Sequence, residues 1–325
     1  MRGSIDRLAK AALEQYDFSP DAEVTLINVS ENSTYRVDDP ATGRRAALRV
    51  HRPGYHSDAA IESELAWMDA LREAGVVKAP TPLESRSGSR VVPVIIEGIP
   101  PRRVVLFEWL EGETPTTEGD LVPGFRTLGG IAARMHAHAR SWKRPDWFTR
   151  HRWDYDGGLG RSANWGRWQS GLGIGAAEFD ILTRLDEALR RRLEAYGQAP
   201  DRFGLVHTDL RLANLLVQAD TISVLDFDDS GFAWFMYDFA SALTFIEDDP
   251  RVPELQDAWV DGYRRVAPLA PEDEAILPTM MMFRRLILLA WIGSHHEFAD
   301  EASDLGAGYT TVTCELVERY LANSG

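Results

Sequence analysis

Residues 205–229 read LVHTDLRLANLLVQADTISVLDFDD, and no other segment constrains the architecture of this chain as tightly. They place His207, Asp209, Asn214 and Asp226 close together in the sequence. The apolar runs NLLV and ISVLDF flank a polar turn and predict a hairpin, which returns the last of these residues to the others. Phosphoryl transfer needs this inventory, because a carboxylate must orient the attacking hydroxyl while an amide oxygen and a second carboxylate bind Mg²⁺.

The text HTDLRLAN followed by DFDD resembles the protein-kinase pattern HRDxxxxN followed by DFG. It is similar, residue by residue, to the catalytic segment of the aminoglycoside phosphotransferase family, which includes choline kinase, type II bacterial homoserine kinase and the stress-response kinase. The resemblance implies that His207 is structural, that Asp209 is catalytic, and that Asn214 and Asp226 bind the metal. It also implies that Asp238, in the text YDFASAL, braces the catalytic loop.

The same resemblance implies an α+β fold of the bilobal protein-kinase-like type, with a small antiparallel β-sheet lobe carrying one helix and a larger, mainly helical lobe. ATP and Mg²⁺ are the implied cofactors and bind between the lobes. Strand-like alternation dominates the first third of the chain and helical periodicity the remainder. We therefore expect an N-terminal nucleotide-binding lobe at 1–111 and a C-terminal catalytic and acceptor-binding lobe at 112–325.

Local patterns predict the elements of the first lobe. The predicted helices are 5–16 and 59–74, and the predicted strands fall within 24–37, 44–52 and 104–110. The text SRSGSR predicts the turn of a further hairpin, between Leu83 and Val91. Helices are also expected at 121–140 and 176–196 in the second lobe.

The nucleotide phosphates are covered in kinase-like folds by a hairpin turn, and the turn SENST offers Asn32, Ser33 and Thr34 for that contact. An ordinary hairpin turn is the alternative. The lysine expected on the next strand is absent, so Arg49 is the candidate by elimination. An arginine pairs bidentately with phosphate and with a carboxylate, although a solvated strand charge has the same appearance in the sequence.

Kinase-like folds pair this basic residue with a glutamate on a helix, and the resemblance implies that Glu64, on the helix predicted at 59–74, is the partner of Arg49. Glu62 is the near alternative. Residues two apart on a helix point about 200° apart, so only one of the two glutamates faces inward. Glu64 lies beside the apolar stripe of this helix, which favours it.

The run VLFEWLEG at 105–112 resembles the linker strand on which adenine docks in kinase-like folds. Backbone groups at Glu108, Trp109 and Leu110 would then bind the base. A buried strand that ends in a loop fits the same sequence equally well.

The acceptor side is less defined. Residues 141–175 hold five tryptophans, which predict either an aromatic acceptor pocket, able to bind a quaternary ammonium group, or packing of the core. Asp228 and Asp229 follow where the kinase pattern has its glycine, and both a solvated turn and a binding role are open. Because His295 and His296 diverge on a helix, a surface or acceptor-pocket role is favoured over a metal site.

The composition limits the partners. A net charge of −15 and a pI near 5.0 disfavour nucleic acids and anionic membranes. No apolar run is long enough to span a bilayer, and the text MRGSIDRLAK has no signal-peptide character. The lone cysteine, Cys314, cannot form an internal disulfide, which fits a reducing compartment. We expect a cytoplasmic protein, either a monomer or a homodimer.

The predicted activity is ATP- and Mg²⁺-dependent transfer of the γ-phosphate to a hydroxyl of a small molecule, such as an aminoglycoside or an amino-alcohol. Two alternatives stay open. The text RHRWD, together with DFDD, also resembles the stress-response Ser/Thr protein kinase, whose acceptor is a protein hydroxyl. Arg49 and the missing glycine-rich loop favour a nucleotide-binding pseudokinase, although the three polar residues of the transfer site are present.

Overall fold

The first part of the fold is an antiparallel sheet accompanied by two helices. The computed structural model describes residues 2–30 and 32–323, and within them this sheet has six strands. The strands β1 to β6 are Glu23–Val29, Ser33–Asp38, Arg45–Val50, Pro82–Leu83, Val92–Ile96 and Ile99–Glu108, and the helices are α1 (Arg2–Leu13) and α2 (Asp58–Glu73). The strand order is β1-β2-β3-β6-β4, and β5 also pairs with β6. Glu31, in the predicted phosphate turn, lies outside the described residues.

The strand pairing shows that one prediction was wrong, because the SRSGSR segment does not close a hairpin between the strands on either side of it. Both of those strands, β4 and β5, pair with β6 instead. The hairpin turn lies later, where Ile96 pairs with Ile99 across Glu97 and Gly98. Gly98 has a φ of 77°, a left-handed conformation that glycine adopts without steric cost, so the two-residue turn forms here.

The two faces of the sheet carry separate cores. Leu106 of β6 packs with α1, whereas its neighbour Phe107 belongs to the core that contains α2. Successive side chains of a strand point to opposite faces of the sheet, and residues paired across two strands point to the same face. The face of each β3 residue therefore follows from its partner on β6. Arg49 of β3 pairs with Val105, which lies in the α2 core, and its guanidinium therefore lies on the α2 face.

The rest of the chain is mainly helical, as predicted. Helices α3 to α11 are Val122–Ser141, Tyr155–Leu159, Ala176–Tyr196, Tyr237–Ala242, Val252–Arg264, Pro271–Ala275, Leu277–His295, Asp300–Leu305 and Gly308–Ala322. Two short antiparallel ribbons pair β7 (Phe203–Val206) with β10 (Gly231–Trp234), and β8 (Leu215–Gln218) with β9 (Thr221–Val224). The second ribbon is the hairpin that the sequence predicts. Across the described residues, no helix combines the length and the apolarity needed to cross a membrane.

The motif residues His207, Asp209, Asn214 and Asp226 lie on two neighbouring loops that follow these ribbons. Residues 207–214 follow β7, and residues 225–230 join β9 to β10. The Leu225 N–H donates to the Asn214 carbonyl at 2.8 Å, so the start of the second loop is fastened to the end of the first. The hairpin therefore returns Asp226 to the catalytic segment.

Arg150 ties the second loop to α2. Its buried guanidinium donates to the carbonyls of Ser230 at 2.6 Å and Ala60 at 2.9 Å, and also to those of Phe227 and Asp228. Charge-assisted hydrogen bonds of this kind compensate the burial of the cation. Arg150 lies in the segment predicted for the acceptor, but in the structure it is a brace between α2 and the second loop.

Helices α3 and α7 cross so closely that only glycine fits at the contact. A Cβ on Gly262 would lie 1.8 Å from the carbonyl oxygen of Arg126, and a Cβ on Gly129 would lie 2.0 Å from that of Trp259. Both contacts are with backbone atoms, which cannot move aside without separating the helices. The large core beneath the catalytic loop includes residues of both helices.

We expect Gly262→Ala to destabilise the protein by about 3 kcal/mol, because the added methyl group forces α3 and α7 apart. The free energy of unfolding in urea measures the effect. Gly124→Ala on α3 is the matched control, since nothing lies within 4 Å of its added Cβ, and its stability should equal or slightly exceed that of the wild type. A Gly262→Ala variant as stable as the wild type would contradict the close crossing.

Candidate active site

The turn that opens the catalytic loop is strained and is held by Asp238. Thr208 has a φ of 70°, which is unusual for a branched residue. Asp238 accepts hydrogen bonds from the backbone N–H of Thr208 at 2.8 Å and of His207 at 3.4 Å. His136 donates to the same carboxylate at 2.8 Å. All four residues are buried, and the bracing role predicted for Asp238 agrees with this geometry.

His207 joins the two loops. Its Nε2–H donates to the Leu225 carbonyl at 3.0 Å, and its Nδ1 accepts from the Asp209 N–H at 3.2 Å. These two bonds require the neutral ring with its proton on Nε2. Burial lowers the pKa of His207, which favours the same form. The histidine therefore acts on the position of Asp209, as a structural residue does.

The Asp209 carboxylate is held at both oxygens. Arg284 donates to Oδ1 at 2.7 Å, and the side-chain amide of Asn214 donates to Oδ2 at 2.6 Å. Its side chain is 17% exposed, so one edge stays open to an incoming molecule. Two such bonds, one of them charge-assisted, fix the plane of the carboxylate.

Arg284 is a functional residue that the motif analysis missed. Its guanidinium is buried, donates to Thr244 Oγ1 at 3.3 Å and to the Tyr237 hydroxyl at 3.2 Å, and lies 5.2 Å from the Trp165 ring centroid. The available signal was the pair of arginines in FRRL, within the otherwise apolar stretch of α9. Arginines at such positions need buried partners.

Arg211, inside the motif text, was also missed. Its guanidinium donates to both carboxylate oxygens of Glu301, at 2.8 and 2.7 Å. Its Nε lies 3.8 Å from Oδ2 of Asp209, so a second cation flanks this carboxylate.

Asn214 and Asp226 lie beside this carboxylate. The Asn214 amide nitrogen donates both to the Asp209 side chain and to its carbonyl at 3.0 Å, and this orientation leaves Oδ1 to bind a cation. Asp226 has a φ of 54°, and its side chain is 45% exposed. The protein packed around the unexposed part of Asp226 raises the pKa of its carboxyl; Arg49 opposes this shift, and Asp228 adds to it.

Arg49 and Glu64 form a buried ion pair, as the sequence predicts. Arg49 Nη2 donates to Glu64 Oε1 at 2.5 Å, and Nη1 donates to Asp226 Oδ1 at 3.0 Å. Glu64 is fully buried. Glu62 instead pairs with Arg90 at 3.0 Å. The idea that Arg49 is a solvated strand charge is therefore wrong.

The turn predicted to cover phosphates lies next to this pair. Thr34 of β2 stands opposite Arg49 of β3 in the sheet register, and Ser33 is buried beside it. Asn32 is also buried, and its amide oxygen accepts the Arg52 N–H at 3.0 Å. The Asn32 side chain thus ties the turn to the chain that follows β3, while its predicted contact with a phosphate stays a prediction.

The predicted adenine linker follows β6. The strand ends at Glu108, whose N–H donates to the Thr81 carbonyl at 2.8 Å and is not available to a base. Trp109 and Leu110 follow in an irregular, half-buried segment. The backbone of these two residues is therefore the better placed part of the predicted adenine site.

Asp228 and Asp229 are 3% and 8% exposed, so the idea of a solvated turn is wrong. Asp228 Oδ1 lies 3.4 Å from Nδ1 of His51 and 3.6 Å from Nε2 of His56. Burial acts to raise the pKa of Asp228, but these histidines, followed by Arg49, hold the pKa well below its usual range. Asp229 Oδ1 accepts the Tyr55 hydroxyl at 2.5 Å.

The tryptophan-rich segment serves mostly to pack the core. Trp153 and Trp168 are fully buried, whereas Trp147 is half exposed. Trp165 differs because it lies against Arg284, the residue that holds Asp209. His295 is buried, so the surface role is wrong for this histidine, and its Nε2 accepts from Arg52 at 3.0 Å. Its acceptor-pocket role stays a prediction.

These features together describe a kinase-like phosphotransferase: a strained, braced loop presents a fixed carboxylate beside an amide and a second carboxylate, with a buried cation–glutamate pair on the sheet above. The family described as "Phosphotransferase enzyme family" matches residues 23–269. The chain belongs to this family, which confirms the resemblance seen in its catalytic segment.

Known kinases are similar to this chain over nearly its whole length. A solved structure of the microcompartment-associated aminopropanol kinase is 47% identical, covers 98% of both chains and has a TM-score of 0.90. Amicoumacin kinase of Bacillus subtilis (strain 168) is 24% identical over 326 residues, 93% of this chain and 89% of that protein. A structure of amicoumacin kinase hAmiN, in complex with AMP-PNP, Ca²⁺ and Ami, is 21% identical, covers 97% and 96% of the chains and shares the fold, with a TM-score of 0.79.

We expect Arg284→Lys to lower kcat about 10- to 100-fold, because lysine cannot hold Asp209, Tyr237 and Thr244 together and a charge-assisted hydrogen bond to the catalytic carboxylate is lost. The KM for the nucleotide should change little. Arg285→Lys is the matched control: Arg285 is equally buried but donates to Glu247, away from Asp209. Equal kcat values for the two variants would show that Arg284 does not position the aspartate.

Proposed function

We propose that this protein is a kinase that transfers the γ-phosphate of ATP to the hydroxyl of a small amino alcohol, with Mg²⁺ as the metal. The convergence of Asp209, Asn214 and Asp226 beside the buried pair of Arg49 and Glu64 carries this proposal. The amino-alcohol class is supported by the 47% identity to the aminopropanol kinase over 98% of both chains.

The residues near Asp226 fit Mg²⁺. The amide oxygen of Asn214 and the carboxylate of Asp226 are hard oxygen ligands, and Mg²⁺ in nucleotide sites takes one or two protein ligands together with phosphate and water. Among the described residues, no group of three or more His, Cys, Asp and Glu side chains can hold a metal ion. This favours a metal that arrives with the nucleotide over a resident one.

The nucleotide is proposed to lie between a lobe at 1–111 and a lobe at 112–325. Arg49, held by Glu64, would bind phosphate oxygens, since a guanidinium pairs with phosphate bidentately. Ser33 and Thr34 would cover the phosphates from the turn. The base would contact the backbone of the linker that follows β6.

Asp209 is proposed to orient the acceptor hydroxyl and to receive its proton. Arg284 and Asn214 hold its two oxygens, so that the remaining lone pairs point in a fixed direction. Bound Mg·ATP supplies the phosphoryl group and the neutralising charge. The place of the acceptor hydroxyl is therefore set by the fixed Asp209 carboxylate before the acceptor binds.

Trp165 and Tyr237 flank Arg284 and are buried, so they hold its guanidinium beside Asp209. The support for a small acceptor is the likeness to the aminopropanol kinase. A cytoplasmic location and a monomer or homodimer stay proposals.

We expect Asp209→Asn to lower kcat about 1,000-fold, because the amide cannot take the proton. Affinity for Mg·ADP, measured by titration calorimetry, should change little. Asp220→Asn is the control, since it removes the same charge from the exposed hairpin turn. Turnover near that of the wild type in Asp209→Asn would sink the assignment.

A panel of acceptors tests the substrate class. We expect coupled ADP release to have its highest kcat/KM with 1-amino-2-propanol among ethanolamine, choline, homoserine, amicoumacin, an aminoglycoside and casein. A preference for either antibiotic would keep the kinase and replace the acceptor class. Phosphorylation of casein would favour the protein-kinase alternative, and nucleotide binding without any release would favour the pseudokinase.

A further inference from the structure

The two places where the chain departs from the kinase pattern meet in space. Arg49 stands where a lysine is expected, and Asp228 stands where DFG has its glycine. Arg49 Nη1 lies 3.8 Å from Asp228 Oδ1. The residues are 179 positions apart in sequence, and the contact joins the sheet to the second loop.

Arg49 is surrounded by more negative charge than one ion pair needs. Glu64 binds its Nη2, while Asp226 and Asp228 face the same Nη1, at 3.0 and 3.8 Å. The guanidinium side chain is 6% exposed. A buried cation that loses a partner costs several kcal/mol unless another takes its place.

The hydrogen bond to Asp226 conflicts with the proposed metal role of that residue. Asp226 Oδ1 accepts from Arg49, and a carboxylate that shares its charge with a guanidinium has less to offer Mg²⁺. When Asp226 turns to the metal, Arg49 Nη1 loses this acceptor. A phosphate oxygen can accept from one of its two N–H groups, and the other then needs an acceptor in the buried space beside it.

Asp228 has that acceptor capacity in reserve. Both of its carboxylate oxygens are buried, and within the described residues neither has a hydrogen bond. Most buried polar oxygens have a hydrogen-bond partner, so the two oxygens of Asp228 are able to accept one. His51 and His56 stand at ion-pair distance from Oδ1, and a shift of less than about 1 Å would bring Nη1 into hydrogen-bond range.

We propose that Asp228 is the second counter-ion of Arg49 and takes over its Nη1 hydrogen bond when Asp226 turns to the metal. Asp228 is then a positioning residue that lets an arginine work in the place of a lysine. The proposal rests on the proposed function, since it presumes Mg·nucleotide at Asp226.

A double-mutant cycle of Asp228→Asn and Arg49→Lys tests the coupling. In the wild-type background, Asp228→Asn should raise the Mg²⁺ concentration for half-maximal activity about tenfold, because Arg49 then retains Asp226. Affinity for AMP-PNP without metal should change far less. In the Arg49→Lys background, the same substitution should have an effect below about threefold, because the smaller ammonium group needs fewer acceptors.

Asp229→Asn is the matched control. Asp229 is the next residue, is similarly buried, and bonds Tyr55 rather than Arg49. Its effect should be equal in both backgrounds. An Asp228→Asn effect of equal size in both backgrounds, or an unchanged Mg²⁺ requirement, would overturn the proposal.

A structure of the wild-type protein with Mg²⁺ and AMP-PNP gives a test that needs no variant. We expect Arg49 Nη1 within hydrogen-bond distance of Asp228 and no longer bonded to Asp226. An Arg49–Asp226 bond that persists beside bound metal would overturn this proposal alone. Failure of the wild type to bind Mg·AMP-PNP would overturn the proposed function and this proposal with it.

Discussion

The buried guanidinium of Arg49 is the constraint on which the geometry of the site depends. A cation enclosed by protein must have its charge compensated where it stands. Here the compensation comes from α2 through Glu64 and from the second loop through Asp226 and Asp228. One buried cation therefore connects the sheet, the helix and the loop.

A second set of buried polar contacts serves the catalytic loop in the same way. Asp238 holds the strained turn at Thr208, and His207 spans the distance to the second loop. Arg150 then fastens that loop to α2 through carbonyl oxygens. A strained backbone conformation persists only where the surrounding structure holds it in place. These contacts hold the turn at Thr208 in that way. The outcome is an Asp209 carboxylate whose orientation is fixed by this chain and not by the acceptor.

The predictable part of the site was the part that lies within one short segment. The spacing of the motif residues can be read directly from this segment, and the hairpin before the last of them is predicted by local residues. The motif residues are His207, Asp209, Asn214 and Asp226. The Arg49–Glu64 pair was predictable as well, since Arg49 follows by elimination and helix periodicity favours Glu64 over Glu62. Such patterns are written in neighbouring residues.

The rest depends on contacts between distant parts of the chain. Arg284 bonds to Asp209 although the two residues are 75 positions apart, and no residue near Asp209 in the sequence indicates this partner. The SRSGSR segment has the residues of a turn, yet the strands on either side of it both pair with β6. This pairing depends on the strand order of the whole sheet. Asp228 looked like a loop charge because its neighbours His51 and His56 come from the loop after β3. Burial of such groups is a tertiary property.

The most direct test of the account is phosphorus NMR of the purified protein with Mg·ATP and 1-amino-2-propanol. The account predicts a phosphomonoester signal that grows in step with ADP and requires both the amino alcohol and Mg²⁺. ADP that appears with inorganic phosphate alone, at a rate indifferent to the amino alcohol, would contradict it.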